Sequence, residues 1–217
     1  MKERPIIFSG AMVRALLDGS KTQTRRVLKN QPPEGVAAIN VAHYEPTVIN
    51  WRGEEEPGSV IFGAYSEDGS WGCKCPYGTP GDRLWVRETF AHMYRGNAAP
   101  ETRCDDDVVY RADGFSHDEY AYGSWKPSIH MPRWASRITL EVTGVRVERL
   151  CDISEQDAAA EGMVPRWPDG VEIRHDCSSN MCRDLFRTLW DGLNAGRGYG
   201  WDANPWVWVV EFRRAHP

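Results

Sequence analysis

Gly19-Ser20-Lys21-Thr22-Gln23-Thr24-Arg25-Arg26 stands where one periodicity gives way to another. Before it, Met12, Val13, Leu16 and Leu17 recur at helical spacing behind Ser9, whose hydroxyl suits a helix start. Gly19 fits a left-handed stop to that helix. After it, Thr22, Thr24 and Arg26 alternate with Gln23, Arg25 and Val27, the period of a strand. A helix-to-strand junction exposes side chains at the end of a sheet. Here they are an amine three positions before a hydroxyl, beside two permanent cations. That set suits an anionic substrate with an electrophilic centre.

Working outward, periodicity fades from Lys29 to Pro80. Pro32-Pro33, Gly53, the acidic run 54–56, Pro57-Gly58 and Gly78-Thr79-Pro80-Gly81 read as turns in an insertion, with one strand expected over Val60 to Tyr65. Alternation returns at Asp82 to Phe90. A second irregular stretch, Met93 to Pro132, holds the acidic run 105–107 and a short strand expected at Val108 to Ala112. Ser136 to Leu150 is strand material with a bend at Gly144. Ser154-Glu155-Gln156-Asp157 has the form of a helix start, predicting a helix to Glu161 that stops at Gly162. Leu185, Leu189 and Leu193 mark the apolar face of a second helix, widened by Phe186 and Trp190. Trp206 to Phe212 alternates as a closing strand. Few helices, many strands and a first-to-last pairing option predict an α+β fold, a small mixed barrel with helices at its ends. One domain over 1–217 is expected, with insertions at about 29–80 and 91–134.

The 26 Lys and Arg against 31 Asp and Glu give a formal charge of -5, which excludes a broadly basic nucleic-acid coat and leaves room for a local basic groove. Met1 to Val13 has no long apolar run, so a cytoplasmic protein with no membrane contact is expected, its six cysteines reduced. Cys73-x-Cys75 and Cys177 followed by Cys182 do not match the paired spacing of a zinc knuckle. His175 beside Cys177 keeps a metal site open; inert thiols are the simpler reading.

Two segments in this element order resemble the ASCH family, which shares the PUA-like barrel. Gly19 to Arg26 matches its G-x-K-T-x-T-x-R pattern, and Ile153 to Gly162 matches its helix ending in Glu-Gly. Gly81-Asp82-Arg83-Leu84-Trp85-Val86 looks like the family's strand entry, and Trp206 to Phe212 like its closing strand. The whole chain, including Trp125 to Arg137, resembles phage and prophage proteins of this type; a phage origin would put it in the host cytoplasm. The resemblance implies binding of RNA or of modified nucleotides. A bacterial branch of the family hydrolyses N4-acetylcytidine to cytidine and acetate with a Lys, a Thr and a Glu, roles that fall by resemblance on Lys21, Thr24 and Glu161.

Amide hydrolysis needs an activated nucleophile, a proton shuttle and a stabilised oxyanion. Thr24 offers the hydroxyl. Lys21, with an ordinary pKa of roughly 10.4, becomes a base only if burial and the field of Arg25 or Arg26 lower it. Glu161 either orients Lys21 or protonates the leaving group, and Arg26 anchors the substrate. No metal and no organic cofactor is required. Against this stands a plainer account: Lys21 complements a helix end, the threonines suit any strand, and Arg25 and Arg26 are solvated or paired with acids. A second candidate surface mixes Lys126, His130, Arg133 and Arg137 with Trp125 and Trp134, cations for phosphate and rings for bases. Trp125 reads as core, while Trp134 fits core or surface. The rival function is a non-catalytic binder of RNA or single-stranded nucleic acid.

Overall fold

The computed structural model describes residues 1–92, 108–114, 124–163 and 181–215. In chain order the elements are β1 (Glu3–Ile7), α1 (Gly10–Leu17), β2 (Gln23–Val27), β3 (Ile39–Tyr44), β4 (Thr47–Ile49), β5 (Glu55–Pro57), β6 (Ile61–Ser66), β7 (Gly72–Lys74), β8 (Arg83–Arg87), β9 (Phe90–His92), β10 (Val108–Tyr110), β11 (Thr139–Arg149), α2 (Glu155–Ala160), α3 (Met181–Asn194) and β12 (Trp206–Arg214). The main sheet runs β1-β8-β11-β12-β2, with β1 parallel to β8 and the other pairs antiparallel.

This α+β sheet is not the closed barrel that the sequence led us to expect. Its edge strands β1 and β2 are joined by α1 and share no ladder. The Phe8 ring sits in the gap, with the Arg26 guanidinium 5.3 Å and the Lys21 amine 5.6 Å from its centre. Arg26 Nη2 spans the opening to the Ile7 carbonyl at 2.5 Å. A ring and two cations thus occupy the place of a backbone ladder.

β12 lies inside the sheet and is buried on both faces. Trp208, Val210 and Phe212 face a core with Ile6, Phe8, Leu16, Leu84 and Leu140; Val207 and Val209 face another with Ile153, Ala158, Phe186, Trp190 and Trp201. β11 shifts register between Val142 and Gly144, the bend expected at that glycine. The stretch 29–80 is not only turns. It folds into a sheet ordered β3-β6-β7, and Ala64, Trp71 and Cys75 enter the main core. Among the described residues no helix is long and apolar enough to cross a membrane.

The α3 face also differs from the expected leucine stripe. Phe186 and Trp190 are the buried pair, while Leu185 and Leu193 are 43% and 51% exposed. Aromatic rings reach Trp201, which the shorter leucines cannot match: Phe186 lies 6.5 Å from it centre to centre.

Asp82 fastens the start of β8 to the N-terminal strand. Its carboxylate accepts from the Lys2 amide and Arg4 Nη1, each at 2.7 Å, and from the Thr79 amide at 3.4 Å. Burial pushes its pKa up, but the Arg4 and amide donors outweigh that and hold it below the ordinary value. A depressed folded pKa stabilises above the ordinary carboxylate range and is lost as pH falls through the folded value. Asp82→Asn should therefore cost about 1–3 kcal/mol at pH 7. Urea titrations repeated at decreasing pH should show the gap between the two proteins closing only once the pH has fallen below the ordinary aspartate pKa of about 3.9.

Candidate functional site

Lys21, Arg25 and Glu161 meet at the free edge of β2. Ser154 caps α2 by accepting from the Asp157 amide, and Gly162, at φ +90°, turns the chain at its end. A Cβ on Gly162 would sit 2.9 Å from the Ala15 Cβ, so glycine lets the turn close against α1. The turn places Glu161 opposite Lys21 in a one-pair β-bridge, extended by the Thr22 amide donating to the Ala160 carbonyl at 2.8 Å.

The Lys21 amine donates to Glu161 Oε2 at 2.6 Å and to the Glu161 carbonyl at 2.9 Å. Lys21 and Glu161 are each only 3% exposed. Arg25 Nη1 reaches Glu161 Oε1 at 3.4 Å. The same guanidinium grips Glu148 Oε1 at 2.6 and 3.0 Å and Asp157 Oδ2 at 3.1 Å. Arg146 ties Glu148, Asp157 and Glu211 together. Burial holds Lys21 below the usual lysine pKa; Glu161 opposes that shift, while Arg26 and Arg25 add to it.

Thr24, Arg25, Arg26 and Val27 line a cavity of about 160 Å³ together with Glu161. Its other wall is apolar: Met12 from α1 and Phe186, Leu189, Trp190 and Leu193 from α3, with Arg197 among the lining residues. Four consecutive strand residues can border one cavity only if it runs along the strand's edge, because side chains alternate between faces. Among the described residues the Thr24 hydroxyl has no hydrogen-bond partner, Lys21 and Glu161 included, and Lys21 does not line the cavity. Arg26 has no carboxylate partner among the described residues. Its Nε is buried without a hydrogen bond, the kind of orphan that calls for an explanation.

The basic-aromatic segment lies elsewhere, and none of its residues borders this cavity. Arg133 is held by Glu3 at 2.9 Å, and Arg137 by Glu88 at 2.9 Å and Asp113 at 2.7 Å. Lys126 and His130 are exposed. Trp125 is half-buried, while Trp134 is 49% exposed with its ring 5.9 Å from that of His92. Tyr94, Arg95, Tyr122, Cys104, His175 and Cys177 lie outside the described residues. Burial raises the Cys73 and Cys75 thiols to about 11. Among the described residues no group of three or more His, Cys, Asp or Glu is placed to hold a metal.

Sequence reasoning passed over Glu148, Asp157 and the α3 wall. Asp157 had a usable signal: four residues before Glu161, it shares that residue's helix face. Glu148 had none, because its pairing with Arg25 joins positions 123 residues apart.

No family model matches the chain, and no curated protein matches it. The crystal structure of an ASCH domain from Lactobacillus crispatus JV V101 is similar at 12% identity and a TM-score of 0.39, over 98% of this chain and 79% of that one.

Proposed function

We propose that this protein binds a modified nucleobase in the cavity along β2 and hydrolyses an N-acyl amide on it, with N4-acylcytidines as the substrate class. The observation that carries the reading is the shared cavity, where an unengaged hydroxyl at Thr24 and the lysine-held carboxylate of Glu161 line the same walls. The ASCH-like motifs suggest the substrate class, and the shared cavity supports the roles assigned below.

Water and the amide give a carboxylic acid and the free exocyclic amine. The attacking oxygen is either a water held by Thr24 or Thr24 Oγ1 itself, and it adds to the acyl carbon; in the second case the acyl group is left as a Thr24 ester, which a water deprotonated by the same pair hydrolyses to the acid while Thr24 recovers its proton. The attacking group's proton passes to the Glu161–Lys21 pair, which returns it to the departing nitrogen as the C–N bond breaks. Glu161 faces the substrate and Lys21 acts through it, because the amine lies behind the carboxylate and outside the cavity lining. Arg26 lines the same cavity, and its positive charge favours the acyl oxygen as negative charge builds there.

A rival reading, a binder of single-stranded RNA, has one observation in its favour: the half-exposed Trp134 beside His92. Incubation with a panel of N4-acylated cytidines, followed by chromatography, is expected to release cytidine and the acid. RNA oligomers should bind weakly with a shallow salt slope, since Arg133 and Arg137 are already paired. Absence of turnover across the panel, combined with RNA affinity that falls steeply with salt, would replace this function with the binder.

A further inference from the structure

The register of β2 on β12 fixes which backbone groups look into the cavity. The Phe212 amide donates to the Thr22 carbonyl and the Leu28 amide to the Trp206 carbonyl. These bonds bracket the ladder, in which Thr24 pairs with Val210 and Arg26 with Trp208. In an antiparallel pair, residues that exchange both bonds alternate with residues that exchange none. Thr24 and Arg26 therefore turn their amides and carbonyls to β12, as do the Thr22 carbonyl and the Leu28 amide at the two ends. Arg25 and Val27 aim theirs away from it, along the open edge. Among the described residues neither Arg25 nor Val27 has a backbone partner on that open side, and both line the cavity.

Resting on the nucleobase reading above, we infer that this backbone edge recognises the ring: the Arg25 carbonyl accepts from an exocyclic N–H, and the Val27 amide donates to the adjacent ring nitrogen. An acceptor followed by a donor complements the N4–H and N3 of a cytosine or an N4-acylcytosine. Buried backbone groups need partners, so an empty edge in a partly apolar pocket favours a ligand that supplies both.

The space fits one ring and no more. The Lys21–Glu161 bridge and the Thr22 bond to Ala160 already occupy the first part of the β2 edge. What remains, Arg25 to Val27, spans about 7 Å, the width of a heterocycle's edge. A cavity of about 160 Å³ is close to the ~150 Å³ that accepts a single benzene. An added peptide strand would need several residues of free edge. On the other side, Phe186, Trp190 and Leu189 provide apolar surface for the ring.

The test uses cytidine and 3-deazacytidine, neither of which carries an acyl group to be hydrolysed, titrated by calorimetry into wild type and Val27→Pro. Proline removes the Val27 amide, which faces away from β12, at a place where edge strands tolerate it, and it exchanges the Val27 side chain for a ring of similar size. Wild type should bind cytidine about tenfold more tightly than its 3-deaza analogue, the cost of leaving one buried donor unpaired. Val27→Pro should bind the two equally while keeping the wild-type melting temperature. Equal binding of the two ligands by wild type overturns the inference even if Val27→Pro fails to fold, as does a preference that survives in a folded Val27→Pro. So does the absence of binding by either ligand. The hydrolysis proposal is judged separately: acyl release without a ring-nitrogen preference sinks the edge reading alone, and a preference without acyl release sinks hydrolysis alone.

Discussion

Glu161→Ala is expected to destabilise the protein by about 3–5 kcal/mol, because it leaves a buried ammonium without its counter-charge. Lys21 is 3% exposed, and among the described residues its amine otherwise donates only to the backbone carbonyl of residue 161, a group the variant retains. Arg25 keeps Glu148 and Asp157, so the loss falls on Lys21. For a chain of this length the melting temperature should drop by about 10 °C. The deficit should also depend on pH in a defined direction. Burial already depresses the Lys21 pKa, and removing Glu161 takes away the main force opposing that. Between the folded and the ordinary lysine pKa the unfolded chain binds more protons than the folded one, so stability rises with pH. The variant should recover from pH 7 towards about pH 10, as the unfolded chain loses its protonated lysine as well. Removing both charges in Lys21→Met/Glu161→Leu should restore most of the loss, since a buried pair replaced by apolar groups of similar size is often neutral. A single-variant loss below about 1 kcal/mol in urea titrations, or a double variant no better than the single, would mean that the pair is not the buried ion pair its geometry describes.

The parts of this site written in neighbouring residues were legible before the fold was known. Ser9 and Ser154 cap their helices, Gly162 takes the left-handed turn, and β2 begins within one residue of the predicted alternation. What escaped were pairings between distant positions. Of the β3-β6-β7 sheet, β6 was expected at Val60 to Tyr65 and lies at Ile61–Ser66, whereas β3 and β7 stand among prolines and glycines where no alternation registered. Barrel closure was a guess about whether β1 and β2 meet, and local periodicity does not carry that. The cations of Arg133 and Arg137 looked available because their partners, Glu3, Glu88 and Asp113, are far away in sequence. Glu161 shows the benefit of the local signal. A carboxylate at a helix C-terminus is electrostatically misplaced, and here that oddity is offset by the Lys21 ammonium and the Arg25 guanidinium.

Thr24→Val tests whether the cavity performs chemistry or only binds. The residue is 2% exposed, in the middle of β2 and opposite Val210. Its hydroxyl has no hydrogen-bond partner among the described residues, so exchanging it for a methyl group breaks no bond there and should hold the melting temperature to within about 2 °C. If that oxygen attacks the acyl carbon or holds the attacking water, kcat on N4-acetylcytidine should fall about 10³-fold. The substrate should still bind, since ring contacts come from the backbone edge and the α3 wall, so KM should change little. Lys21→Met in the same assay separates direct from indirect action: an amine working through Glu161 should lower kcat and move the acid or base limb of the pH profile, again with KM nearly unchanged. A Thr24→Val enzyme that kept more than about a tenth of wild-type turnover would remove that hydroxyl from the reaction and leave Glu161 with a water as the simplest nucleophilic system.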